Sequence, residues 1–273
     1  MSAAVVVSDT RALLSRWFIH MRRDIMSLSI GLMQPLFWLI LGYVFQGFMR
    51  TSVDLASFGG VDYMSFFLSG IVAFTLLTNA VLGGIPIVFD RENGFIDKVL
   101  SAPVSRLSIV LARFIYVTIY SLVQAFLVLA FGYILLGVRF QGGFSAPVAL
   151  LGIAGFGALF TAGVVALSLA LAFKAEHHAV FFTITGFFLT PVLFLSSAFV
   201  PLSKLPEAGR WIALANPLTH AIDPIRALIC GPAAAGISAD GVMEAFAVHG
   251  GVLLAFDVVC FALAVRVIRS RLD

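Results

Sequence analysis

The sequence predicts an all-α integral membrane protein with six transmembrane helices. An amphipathic interfacial helix precedes them, and an external re-entrant helical hairpin comes before the last span. Three observations predict this. Of 273 residues, 61% are hydrophobic and only 11% charged, whereas a soluble domain carries about 25% charged residues. The apolar residues gather in runs near the roughly 20 residues that a helix needs to cross a bilayer. Lysine and arginine favour one set of connections over the other, as expected of a chain that threads a membrane. Helices must do the crossing, because lipid gives bare backbone groups no hydrogen-bond partner.

The first element runs from 9 to 23. Leu13, Leu14, Trp17, Phe18 and Met21 share one face at helical spacing, with Arg16, His20 and Arg23 on the other. Such a helix suits the headgroup layer, and 1–26 is read as this cytoplasmic, interfacial region. Its arginines interrupt the apolar run before a long hydrophobic stretch begins, so no cleavable signal peptide is expected.

Six spans follow, at 27–48, 63–84, 107–136, 147–172, 179–200 and 245–266. The third and fourth exceed what a perpendicular helix needs, which tilt would absorb. The fourth carries Ala154, Ala158, Ala162, Ala166 and Ala170 at intervals of four, a small-residue face that lets helices approach closely in lipid. Between the fifth and sixth spans, 201–244 is read as an external re-entrant region. There Asn216 is a good N-cap and Pro217 suits the first helical position. Leu218, Ile222, Ile225 and Ile229 share a face of the helix they start.

With the N-terminus inside, twelve of the 17 lysines and arginines lie at the inner boundary. Arg50, Arg139, Lys204, Arg210 and Arg226 lie outside. The bias puts both termini in the cytoplasm. A formal charge of +3 is too small to suggest nucleic acid. Cys230 and Cys260 lie in different segments without metal or redox spacing and read as small apolar residues. His177 and His178 are adjacent, so on a helix they diverge by about 100°. They read as part of a cytoplasmic turn rather than as metal ligands, and no metal site is expected.

The sequence contains no G-x-x-x-x-G-K-[ST] phosphate loop, and no G-x-S-x-G or H-E-x-x-H pattern. Nothing in it marks a self-powered machine. The run from 89 to 113 instead reads as a docking element. Phe95, Ile96, Val99 and Leu100 form an apolar stripe, and Asp90, Arg91, Glu92, Asp97 and Lys98 surround it with charge. Gly94 permits a sharp backbone turn, Pro103 stops the helix, and Arg106 anchors the next span.

In this run Glu92-x-Gly94, followed by Leu100-Ser101-Ala102-Pro103-Val104-Ser105-Arg106, resembles the cytoplasmic segment of type-2 ABC exporter permeases. Asn216-Pro217-Leu218-Thr219, with Asp223 and Arg226 following, resembles that family's stretch before the last span. The layout of the whole chain is similar to the family's, nearest to the short permeases of drug, polyketide and lipid- or glycan-exporting systems. The resemblance implies that the chain is not itself an enzyme. A separate ABC ATPase subunit would bind ATP and Mg, and would dock on the 85–106 segment of a permease homodimer or heterodimer. Asp90, Arg91, Glu92, Gly94, Phe95, Asp97, Lys98, Leu100, Pro103 and Arg106 would then carry the coupling. It also implies a bacterial inner (plasma) membrane and a hydrophobic or amphipathic substrate moved outward.

Polar, aromatic or kinked positions within spans are pathway candidates: Gln34 beside Pro35, Phe37, Asn79, Phe188 and Thr190, with Gln124 a further polar site. Each of them can equally serve packing between helices. Asp257 stands in the middle of the last span, where a carboxylate costs about 2.5–3.5 kcal/mol on insertion scales. It is expected to be paired with a neighbouring span, with proton coupling the alternative. His249 lies two turns earlier, too far along the same helix to touch it. Two other functions fit a polytopic chain. A stand-alone secondary transporter would show an inverted repeat with paired broken helices, which the sequence lacks. An intramembrane enzyme would have to rest on Asp257 and His249 alone.

Overall fold

A computed structural model describes residues 3–23, 25–52, 58–94 and 106–272, all helix, turn or loop, with no strand among them. The helices are α1 (Ala3–Arg23), α2 (Ile25–Ser52), α3 (Tyr63–Leu82), α4 (Ile85–Glu92) and α5 (Arg106–Leu135). They continue as α6 (Ala146–Lys174), α7 (His178–Phe194), α8 (Glu207–Ala215), α9 (Pro217–Cys230) and α10 (Val242–Leu272).

Among the described residues, five stretches are long and apolar enough to cross a membrane: Leu28–Phe48, Tyr63–Glu92, Ser108–Leu135, Ala146–Lys174 and Ala239–Val267. The sixth apolar helix, α7, has only 17 residues, at the lower limit for a span. The span expected to reach 200 therefore ends at Phe194. Asn216 explains part of that stop. Its Nδ2 donates to the carbonyls of Val192 and Leu195 at 2.7 and 3.0 Å, satisfying acceptors that a terminating helix leaves open.

Helix α3 is the axis of the bundle. Residues 63–78 are all buried, with α2, α5, α6 and α9 packed around them. Its start is fixed by Asp62, whose carboxylate accepts from Ser65 N at 3.0 Å and Ser65 Oγ at 2.6 Å, a side-chain N-cap. Phe66, Leu68, Ile71, Val72 and Leu76 fill the centre of the core. Helix α2 is the opposite case: Ile30, Met33, Phe37, Ile40 and Val44 lie exposed along it.

The axis breaks at Gly83-Gly84, and α4 leaves with Pro86 in its first turn. The break is bridged from outside. Ser168 Oγ donates to Val81 O at 2.6 Å and accepts from Gly84 N at 2.9 Å, and Arg113 Nε donates to Gly83 O at 2.9 Å. These bonds occupy backbone groups that a helix break would otherwise strand in an apolar core.

Helix α1 begins earlier than the expected residue 9 and lies along α5. Trp17 and Phe18 meet Tyr116, with centroids 5.6 and 6.0 Å apart, and the Arg113 guanidinium sits 4.7 Å over the Trp17 ring. The apolar face read from the sequence thus packs in large part on protein. Helix α1, the start of α5, α4 and the α6–α7 connection gather at one end of the bundle, and α8, α9 and the α5–α6 connection at the other. The second grouping is tied by Gln141 N donating to Ile229 O at 2.7 Å.

Candidate functional site

Among the described residues, polar chemistry gathers at both ends of the bundle. At the first end, α4 inserts Arg91 and Glu92 into the α6–α7 junction. Arg91 Nη1 lies 3.0 Å from Ala172 O and 3.1 Å from both Phe173 O and Ala175 O. Those carbonyls close α6 and form the negative end of its dipole. Glu92 Oε1 accepts from His178 N at 2.7 Å, and its carboxylate meets His178 Nδ1 at 2.8 and 3.0 Å. His177 Nδ1 stands 3.6 Å away, and the Phe89 ring stacks on His178 at 5.2 Å. The paired histidines therefore hold a turn against α4. Among the described residues no group of three metal-binding side chains gathers.

Asn93 ends α4 and Gly94 turns with φ +64, a region glycine enters without strain. Asp90 is partly buried within electrostatic reach of Arg16 and Arg113. Phe95, Asp97, Lys98, Leu100 and Pro103 lie outside the described residues, and Arg106 is the first residue of α5. Of the predicted coupling residues, then, Arg91 and Glu92 face the chain's own helices.

At the second end, α9 is buried over its whole length apart from partly exposed Pro217. Asn216 caps it, with Oδ1 accepting from Leu218 N at 3.0 Å. Arg226 is 1% exposed. Its Nε donates to Ser69 Oγ at 3.0 Å, and its Nη2 to Ser197 O at 2.8 Å. Its Nη1 lies 3.4 Å from Asp223 Oδ1, which also accepts from Ser197 Oγ at 2.7 Å. The guanidinium stands 3.6 Å over the Phe66 ring. Placed among the outer basic residues by the sequence, Arg226 is instead enclosed by protein and presents no charge to a boundary.

The pathway candidates divide into two groups. Asn79 Nδ2 donates to Gln124 Oε1 at 2.9 Å, while Gln124 Nε2 donates to Tyr120 Oη at 2.8 Å and Leu28 O at 3.3 Å. This knot joins α2, α3 and α5, and Gly31 leaves the room in which the Gln124 amide sits. Gln124→Leu should lower stability in detergent by about 1–2 kcal/mol, since intramembrane hydrogen bonds average about 0.6 and reach about 1.7 kcal/mol. An unfolding midpoint equal to the parent's would rule the knot out as a stabilising element.

Gln34, Phe37, Phe188 and Thr190 are all exposed on the surface of the single chain. Helices α2 and α7 adjoin where Trp38 meets Phe194 at 6.3 Å and Phe199 at 5.7 Å, so these candidates lie on neighbouring surfaces. Phe188 also lines an apolar cavity of about 280 Å³ with Leu77, Phe160, Val164, Ile184 and Phe256.

Asp257 is 7% exposed and lies against Gly163 of α6, but its Oδ1 has no hydrogen-bond partner among the described residues. The expected pairing with a neighbouring span is absent at that oxygen. His249 does find a partner, on α9: its Nδ1 is 2.9 Å from His220 Nδ1. His220 Nε2 donates to Leu214 O at 2.8 Å, so between neutral rings His249 Nδ1 is the donor. No local signal marks this contact, because the two histidines are 29 residues apart on different helices.

A family model for ABC-2 type transporters matches residues 8–230. The chain is 31% identical over 270 residues to the transport permease ycf38 of Cyanophora paradoxa, covering 97% of this chain and 90% of that one. It is 36% identical over 228 residues to its counterpart in Pyropia yezoensis, covering 82% and 74%. It is 28% identical over 212 residues to the daunorubicin resistance ABC transporter permease protein DrrB1 of Streptomyces coeruleorubidus, covering 76% and 69%. The all-helical bundle, its apolar helices and these similarities agree: the chain belongs to the ABC-2 type transporter family, as a multi-pass membrane permease component.

Proposed function

We propose that the chain is the permease half of an ATP-driven exporter, with both termini in the cytoplasm of a bacterial inner membrane. A separate ATPase subunit carries ATP and Mg and docks on the run after Gly94, where Phe95, Asp97, Lys98, Leu100, Pro103 and Arg106 supply the contact. Asp90, Arg91 and Glu92 link that contact to the bundle. The supporting observation is the charged turn itself: α4 ends against α6 and α7, bonded to both through Arg91 and Glu92, with Asp90 in electrostatic reach of Arg16 and Arg113, so a load at Gly94 reaches several helices at once.

A second permease subunit, identical or homologous, completes the pathway. The exposed surfaces of α2 and α7 support this, because Gln34, Phe37, Phe188 and Thr190 lie there and a single chain leaves them uncovered. The aromatic character of those surfaces suits a hydrophobic or amphipathic substrate. The relative named for daunorubicin resistance fits that class.

The test is co-purification of the chain with a candidate ATPase subunit, followed by ATP hydrolysis in lipid nanodiscs. Binding and permease-stimulated hydrolysis are expected. Gly94→Pro should abolish the stimulation, since proline holds φ near −65° where this backbone needs +64. Transport by the purified chain on an ion gradient without any ATPase would overturn the reading.

A further inference from the structure

Resting on that reading, we infer that Arg91 and Glu92 are positioning residues that clamp α4 to the α6–α7 elbow. Force arriving at the Asn93-Gly94 turn then moves α6 and α7 as one body with α4. It does not travel up α3.

The clamp follows from how helices end. The last carbonyls of α6 and the first N–H groups of α7 have no partner inside their own helices. His177, at the N-cap of α7, makes no side-chain capping bond. Adjacent residues of a third helix supply both caps. Arg91 brings positive charge to the carbonyls of Ala172, Phe173 and Ala175, and Glu92 brings negative charge to the amide of His178. Each sign matches the dipole end it meets. The bonds span 81 to 86 residues of sequence, so they are tertiary ties rather than local turns. The Phe89–His178 stack adds an apolar contact to the same joint.

The connection of α4 to α3 is of another kind. The helix is interrupted at Gly83-Gly84, and its groups there bond to Ser168 of α6 and Arg113 of α5 instead of continuing the α3 ladder. At the break α4 is tied sideways, to α6 by Ser168 and to α5 by Arg113, while its other end is held to the elbow by charge-assisted bonds from both Arg91 and Glu92, and such bonds are about twice as strong as neutral ones. A displacement applied at Asn93 or Gly94 therefore bends at the break and pulls on the elbow.

The test uses the permease–ATPase complex in nanodiscs, with spin labels on the exposed positions Asn93 and Thr183, and separately on Leu111 and Thr183. Cys230 and Cys260 are buried and stay unlabelled. In the parent, the Asn93–Thr183 distance should be the same with and without ATP plus vanadate, while the Leu111–Thr183 distance shifts. In Glu92→Gln and Arg91→Gln the first distance should broaden. The second should lose its nucleotide dependence by about fivefold, the low end of ordinary coupling between sites. The ATPase should remain bound throughout.

His178→Ala leaves the Glu92-to-amide bond in place and should broaden the first distance only part-way, which also serves if the other variants aggregate. A parent Asn93–Thr183 distance that changes with nucleotide, or variants that keep the full shift, overturns the clamp. So does loss of ATPase binding in the variants, which would make the pair a docking face and leave the proposed function standing. If the parent itself binds no ATPase, both readings fall.

Discussion

Arg226→Met should destabilise the protein by about 3–5 kcal/mol, the usual cost of removing one partner from a buried ion pair. Several interactions go at once, including a bond to Ala198 O. Ser69 Oγ loses a donor, Ser197 O loses its bond, Asp223 loses its cation and the Phe66 ring loses the guanidinium over its face. The single variant strands the Asp223 carboxylate in a site 3% exposed. The double variant Arg226→Met/Asp223→Leu should recover most of the loss, because an apolar pair in place of a buried ion pair is often neutral or stabilising. The measurement is thermal unfolding in detergent for both variants and the parent. Equal loss in the single and the double would mean that the cation matters through its packing and not through its charge. A single variant within about 1 kcal/mol of the parent would remove the network from the structural account altogether.

That network shows what could be read from the sequence and what could not. The start of α9 was legible, because Asn216 and Pro217 are local signals and the helix begins where they stand. Its apolar face was legible from spacing. The depth of Arg226 was not, since an arginine at a helix surface and one at a core look alike until the partner is known. That partner, Ser69, is 157 residues away.

The same contrast holds along the chain. The helices that cross were legible from long apolar runs, and α7 was overextended because 195–200 stays apolar after the helix has stopped. Asn79 and Gln124 stood out as polar residues in apolar spans, but only the fold shows that they bond each other. Arg91 and Glu92 were legible as charge at a turn. Their direction was not, because capping in trans leaves no mark on the sequence around the helices that are capped.

The small-residue face of α6 leads to the last expected result. Ala166 and Ala170 pack against Cys260 and Ala264 of α10, and one turn away Gly163 faces Phe256 and Asp257. Lipid gives helices no hydrophobic reason to associate, so this seam depends on close approach. A side chain at 163 would have to occupy the space of the Asp257 carboxylate and the Phe256 ring. Gly163→Val should therefore cost about 1–3 kcal/mol, as overpacking does, and loosen α10 from α6. Asp257→Ala opens part of that space and removes a group whose placement at mid-membrane costs about 2.5–3.5 kcal/mol. Alone it should leave the fold assembled, and combined with Gly163→Val it should restore about 1 kcal/mol beyond additivity, within the range seen for residues in contact. The four corners of that cycle can be measured by unfolding in detergent. Additivity within about 0.3 kcal/mol would mean that Asp257 does not occupy the groove at Gly163. Its position in the middle of the last span would then need a cause other than this helix seam.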